Sequence, residues 1–551
     1  MAKLIVISLT ETSNVGIKTV SSDGGFLNLP LYVEDEPRDL NRNSEDGESE
    51  LQKKWQSYCK ETVSRISPQD LSEVMPKLSH SLNSSQISAI KTALRRRLSL
   101  IQGPPGTGKT VTAAHMISCV VRLGFGPVLA CAASNVAVDN LMQKIISVSA
   151  ASLRIVRIGR VPAIGEELWD KTLESYLEKD LRVRKARNEC AAGRMKVSGL
   201  LDVEKAAVRQ VLKKAHVVVG TCVACGRHDL EGLNFRYVVV DEATQASEPD
   251  VLIPLSITVK SGKQVQLVLV GDQNQLPPTI LSRNSHHADG AGLETSLFVR
   301  LWRQGIETQL LNVQYRMHPQ ISAFPSKHFY FNRLRDGISP EDRVIPNFHF
   351  VAKRYTVLTQ SRAIFVHVSD GKEEKDLQTT DINNTTNAGH SYWNRTEAHV
   401  VMQVVRELVG AEEGSSITSS RAFSLSDIGL ISPYAGQVRI LKELVARQWG
   451  ASSIEVSTVD GFQGREKRVI LLSSVRSNDK SSVGFLRDWR RLNVAITRAK
   501  ALLVVVGNES TLSTNTHWRS WIKWVKRHGA TMCVPISESG KTADVGQSPE
   551  A

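Results

Sequence analysis

Short apolar runs recur along this chain, separated by longer stretches of mixed character. In the first half they are LSLIQ (98–102), PVLACAA (127–133), HVVVGT (216–221), YVVVDE (237–242) and QLVLVGD (266–272). A second series follows: AIFVHV (363–368), IGLISP (428–433), IEVSTV (454–459), RVILLSSV (468–475) and ALLVVVGN (501–508). Valine-rich runs without polar alternation predict parallel strands buried on both faces. Their spacing predicts repeated strand–helix–strand units. Two series predict two α/β domains in tandem, over 81–305 and 306–536. A helical insertion is expected in the first domain, at about 165–214. Within it, residues 171–214 carry twelve Lys/Arg against six Asp/Glu, a net +6. Residues 1–80 predict an accessory region, with strand-like runs at 3–9 and 24–33 and a helical stretch at 51–66. Residues 537–551 predict a polar tail.

Composition narrows the class. The 551 residues are 41% hydrophobic and 23% charged, which argues against wholesale disorder and against a disulfide scaffold. A formal net charge of +13 points to a polyanionic partner, nucleic acid or an anionic surface. No apolar run is long enough to predict a membrane-spanning helix, and MAKLIVISLTETSN does not read as a signal peptide. Seven scattered cysteines fit a reducing compartment. The expected location is the cytoplasm, with the nucleus as the alternative.

Chemistry concentrates in a few segments. GPPGTGKT, comprising Gly103, Pro104, Pro105, Gly106, Thr107, Gly108, Lys109 and Thr110, follows a strand and opens a helix. That is the context of a phosphate-cradling loop. Its backbone N–H groups can hold phosphate oxygens, Lys109 can neutralise them, and Thr110 can ligate Mg²⁺. Asp241 and Glu242 end the strand YVVVD. Asp241 can hold the same Mg²⁺, and Glu242 can take a proton from an attacking water. ATP and Mg²⁺ are therefore the expected substrate and cofactor. LVLVGDQNQLPPT contributes Gln275; QYRMHP contributes Arg316; STVDGFQGRE and RRLNVAITRAK follow in the second domain. Arg316 and Arg498 are expected to stabilise the transferring phosphoryl group as arginine fingers from that domain.

This ordered set of motifs resembles the superfamily 1 helicases. It is most similar to the up-frameshift family of nonsense-mediated mRNA decay, with senataxin-type helicases next. The resemblance runs from about Leu82 to Asn508 and includes LNSSQISAIKTAL, GPVLACAASNVAVDNL, DEATQASEP, QYRMHPQISAFPSKHFY and SYWNRTEA. It implies two RecA-like P-loop NTPase domains. It also implies that Gln86 reads adenine, Tyr315 stacks on the nucleotide, Gln275 senses the γ-phosphate and Glu466 contacts the ribose. Ser134, Asn135 and Thr279 would lie on the nucleic-acid side. The implied activity is ATP-dependent 5′→3′ movement on single-stranded RNA or DNA, with RNA-decay proteins as partners. Two other readings share these residues: an ATP-gated RNA clamp and a senataxin-like RNA/DNA-hybrid helicase. The sequence departs from the family at Ala133 and at Trp489, where proline is more usual, and QLPPT is closer to the senataxin pattern. No Cys/His-rich zinc domain is expected, and residues 1–80 could hold only part of the family's β-barrel. Cys222 and Cys225 form a lone C-x-x-C, read as structural.

Overall fold

The computed structural model describes residues 80–149, 153–160, 164–259, 265–280, 292–345, 361–376, 391–409, 423–451 and 453–533, together with Gln69 and Leu78. The accessory region expected over 1–80 lies almost wholly outside the described residues, and the tail expected over 537–551 lies wholly outside them. The chain forms two compact units, 1–314 and 315–551.

The first unit is built on a seven-stranded sheet. Its strands are β1 (Leu98–Gln102), β2 (Val128–Ala132), β3 (Ile155–Arg157), β4 (Val217–Thr221), β5 (Tyr237–Asp241), β6 (Gln266–Gly271) and β7 (Thr308–Leu310). They lie in the order β3-β4-β2-β5-β6-β1-β7. Every neighbouring pair is parallel. Both faces are covered, so alternate residues of one strand enter different cores. Val238 and Val240 face one apolar cluster, Tyr237 and Val239 the other. Each fully buried Val or Leu contributes roughly 1.5–3 kcal/mol. The lone C-x-x-C belongs to this packing: Cys222 and Cys225 are buried, and the Cys225 thiol lies 3.5 Å from that of Cys131.

Two short strands were not legible as strands. β3 carries an arginine, and β7 is only Thr308–Leu310. Because β7 pairs with β1, the sheet reaches beyond the expected domain boundary at 305/306. The basic stretch folds as a 3₁₀ turn (Glu166–Lys171) and three helices, Leu173–Lys179, Leu181–Ala191 and Val197–Lys213. The last helix buries Ala207, Val208, Val211 and Leu212, at 3–4 residue spacing, and leaves its charges outside.

The second unit holds a six-stranded parallel sheet. Its strands are β8 (Ala363–His367), β9 (Ile428–Ser432), β10 (Glu455–Thr458), β11 (Lys467–Ser473), β12 (Ala499–Gly507) and β13 (Ala530–Cys533), in the order β10-β9-β11-β12-β8-β13. Each unit is thus a doubly wound, RecA-like α/β layer structure.

Candidate nucleotide site and strand-facing residues

In open parallel sheets, ligands bind beyond the carboxyl ends of the strands. The first unit places its motif residues there. Residues 103–108 connect β1 to the helix Lys109–Arg122. Gly106 and Gly108 adopt φ of 76° and 78°, the left-handed region that favours glycine. At Gly103 the requirement is steric: a Cβ would stand 2.0 Å from Cγ of Lys109. The Gly103 amide donates to Gly271 O at 2.9 Å, tying the loop to the end of β6. Lys109 Nζ donates to Gly103 O at 2.9 Å and lies 3.9 Å from Glu242 Oε1.

Asp241 ends β5 and is 1% exposed. Burial, then the neighbouring Glu242 charge, push its carboxyl up to about 6, against the Thr110 hydrogen bond and the Lys109 charge. Thr110 and Asp241 are therefore adjacent hard oxygen donors, the set that Mg²⁺ prefers. Glu242 is held at φ 49°, an unusual conformation for a non-glycine residue. Its backbone amide donates to Asp241 Oδ1 at 2.9 Å, and its carboxylate accepts from Gln245 Nε2 at 2.9 Å.

Gln275 is 4% exposed and donates from Nε2 to Asp272 Oδ2 at 2.7 Å. Asp272 also accepts from Gln102 Nε2 at 3.4 Å. Sequence reasoning gave Asp272 no part; its position after the strand end in GDQ was the available signal. Gln86 is 5% exposed and works inside the fold. Its amide oxygen accepts from the Asn83 backbone at 3.0 Å, and its amide nitrogen donates to Thr107 O at 3.1 Å. It thus joins the helix Ser84–Arg95 to the phosphate loop.

The residues expected to face nucleic acid sit at loop ends. Ser134 is exposed and caps the helix Asn135–Val148, accepting from Ala137 N at 3.2 Å. Thr279 is exposed after β6. Asn135 accepts from Arg157 Nη2 at 3.0 Å. Arg157 is fully buried, pairs with Asp139 at 3.0 Å and also donates to Ile158 O. It was missed because one arginine in an apolar strand carries no motif.

In the second unit, Tyr315 is 40% exposed. Arg343 holds the backbone there, donating to Tyr315 O at 2.7 Å and Arg316 O at 2.8 Å. Arg316 meets Glu466 at 2.5 Å and donates to Thr497 O at 3.1 Å. Lys500 meets the other Glu466 oxygen at 2.9 Å. Burial alone would raise the Glu466 carboxyl, but Arg316 and Lys500 outweigh it and hold it at about 2. Glu466 is thus an anchor for Arg316 within this unit. Arg498 is 2% exposed and donates to Val494 O at 2.9 Å and Thr497 Oγ1 at 3.1 Å.

SYWNRTEA stands out in the sequence as a block, without roles for its residues. Asn394 and Glu397 are fully buried. Glu397 accepts from Ser473 Oγ at 2.7 Å and from Val475 N at 2.8 Å, while Asn394 donates to Val475 O at 3.2 Å. Val475 sits at φ 70°, a strained conformation for a β-branched residue. The motif clamps that strained turn after β11. Burial pushes the Glu397 carboxyl up to about 7 against these bonds.

Among the described residues, no helix is long and apolar enough to cross a membrane. Nor does any group of three or more His, Cys, Asp or Glu side chains there form a metal-holding cluster.

Comparison with known proteins agrees with this geometry. AAA domain families match residues 81–196 and 170–283, and residues 293–510. The chain is 39% identical over 474 residues to the regulator of nonsense transcripts 1 homolog of Arabidopsis thaliana, covering 83% of this chain and 35% of that protein. It is 36% identical to the Drosophila melanogaster homolog, covering 81% and 36%. It is 37% identical to the ATP-dependent helicase NAM7 of Saccharomyces cerevisiae, covering 79% and 42%. The chain therefore spans well under half the length of these relatives. Through its two-domain core, the chain belongs to the up-frameshift family of superfamily 1 helicases.

Proposed function

We propose that this protein is an ATP-dependent helicase that moves 5′→3′ along single-stranded RNA or DNA in RNA surveillance. One observation carries the reading: Lys109 on the phosphate loop faces the Asp241–Glu242 pair, with Thr110 hydrogen-bonded to Asp241. That is an NTP-hydrolysing constellation. Its relatives named as an ATP-dependent helicase and as regulators of nonsense transcripts support the choice among NTPases.

The residues present fit Mg²⁺, which Thr110 and Asp241 would hold and which would neutralise phosphate charge. Lys109 binds the phosphates, Glu242 orients and deprotonates water, and Gln275 positions that water near the transferring phosphoryl group. Arg316 and Arg498 are the cations assigned to transition-state charge. The exposed Ser134 and Thr279, with Asn135 at the start of the helix that Ser134 caps, would contact the strand. Contacts to phosphate and sugar predict weak sequence preference and affinity that falls steeply with salt.

Displacement of the shorter strand from a 5′-tailed duplex, with ATP, tests the reading. ATP-dependent displacement supports it. Strand-stimulated hydrolysis without displacement would replace it with an ATP-gated clamp.

A further inference from the structure

We infer that Phe331 is a stacking platform for a nucleotide base, with Lys327, Arg333 and Arg335 as its phosphate contacts; the inference rests on the strand-handling function proposed above. The helix Pro319–Phe329 ends in an exposed tip, Phe331-Asn332-Arg333. Phe331 is 83% exposed, the highest value among the large apolar residues described. Both Phe331 and Asn332 hold left-handed φ, 54° and 57°. A bulky aromatic side chain in that region is a genuine outlier. Such strain persists only where the surroundings over-determine it, and it clusters at ligand-contacting sites.

The surroundings here do over-determine it. Asn332 N donates to Ser326 O at 2.9 Å, and Arg333 N to Tyr330 O at 2.9 Å. Ser326 Oγ donates to Leu334 O at 2.9 Å. On either side of the tip, Tyr330 and Leu334 are buried, and Asn493 Nδ2 donates to the Tyr330 hydroxyl at 2.8 Å. Phe329 stacks on Trp489 with centroids 5.3 Å apart. A rigid frame therefore presents one aromatic ring to solvent, with its ordering cost already met by the fold.

Charge selects the occupant. From Pro319 to Arg335 the chain carries Lys327, Arg333 and Arg335 and no acidic residue. All three cations are exposed. The first acid, Asp336, accepts from Ser322 Oγ at 2.6 Å. An apolar protein pocket would not need three exposed cations within four residues of the ring. A single nucleic-acid strand supplies both complements: a π-face for Phe331 and phosphates for the cations.

The test is binding of short single-stranded RNA and single-stranded DNA, followed by fluorescence anisotropy at two salt concentrations. Phe331→Ala should weaken binding to at least one strand by about 5- to 150-fold, the effect of losing a base–aromatic stack. Phe331→Leu should fail to restore it, and Phe331→Trp should restore it with indole emission quenched on binding. Arg333→Ala with Arg335→Ala should flatten the salt dependence. Thermal melting should be unchanged throughout, since the ring is exposed. Wild-type affinity in Phe331→Ala, or full rescue by Phe331→Leu, would overturn the inference while leaving the proposed function standing. Absence of strand binding by the wild type would overturn both.

Discussion

Gly103 offers a way to move the Lys109 ammonium without deleting it. In Gly103→Ala the new Cβ would lie 2.0 Å from Lys109 Cγ and 2.8 Å from its Cδ. Neither approach is tolerable, and Cγ is not the free end of the side chain. The lysine stem must therefore rotate. Rotation breaks the 2.9 Å bond from Nζ to Gly103 O and carries the ammonium from its place 3.9 Å from Glu242. A hydrogen bond to a charged group contributes about 1.5–3 kcal/mol. At ~1.4 kcal/mol per decade, losing the lysine–phosphate contact lowers ATP affinity by roughly 10- to 150-fold. Binding of a fluorescent ATP analogue would be measured beside Lys109→Ala and Gly124→Ala. Gly124 has a positive φ of 74°, and nothing lies within 4 Å of the methyl carbon that alanine would add there, so it reports the effect of a glycine-to-alanine change that leaves Lys109 in place. Gly103→Ala should approach Lys109→Ala, and Gly124→Ala should bind like wild type. Wild-type affinity in Gly103→Ala would refute the lysine placement on which the site rests.

Three further predictions follow from buried or paired charges. Arg157→Ala leaves Asp139 without its buried partner and should lower stability by about 3–5 kcal/mol in urea titration. Glu397 is held protonated up to about 7, above the ordinary carboxyl value of 4.5. The folded state therefore binds the extra proton between those values, and stability falls as pH rises through them; Glu397→Gln should remove that dependence from pH-resolved denaturation. Glu466 is held at about 2, below the ordinary 4.5, so its contribution is present above 4.5 and lost as pH falls toward 2. Arg316→Ala should shrink that acid step, with Lys500 still paired to Glu466, and lower ATP turnover while nucleotide binding persists, read by hydrolysis beside equilibrium binding.

Strands buried on both faces were the most legible part of the sequence. β5 and β6 carry the apolar runs YVVV and LVLV, because neither face meets water. The phosphate loop was equally legible, because its chemistry demands glycines and a lysine at fixed spacing. β3 and β7 were not, since three residues carry no period. The supporting polar residues were hidden for a different reason. Arg157, Asp272 and Glu397 act through partners far along the chain, such as Ser473 for Glu397. Only the fold brings such partners together. Gln86 shows the converse: its motif implied a base-reading residue, and the structure adds that its amide braces the phosphate loop.

A strand-translocating motor must couple strand binding to ATP hydrolysis. Hydrolysis measured with and without single-stranded RNA, beside Lys109→Ala, tests it most directly. Strong stimulation by RNA is expected in the wild type and none in the variant. Hydrolysis indifferent to RNA and to single-stranded DNA would contradict it.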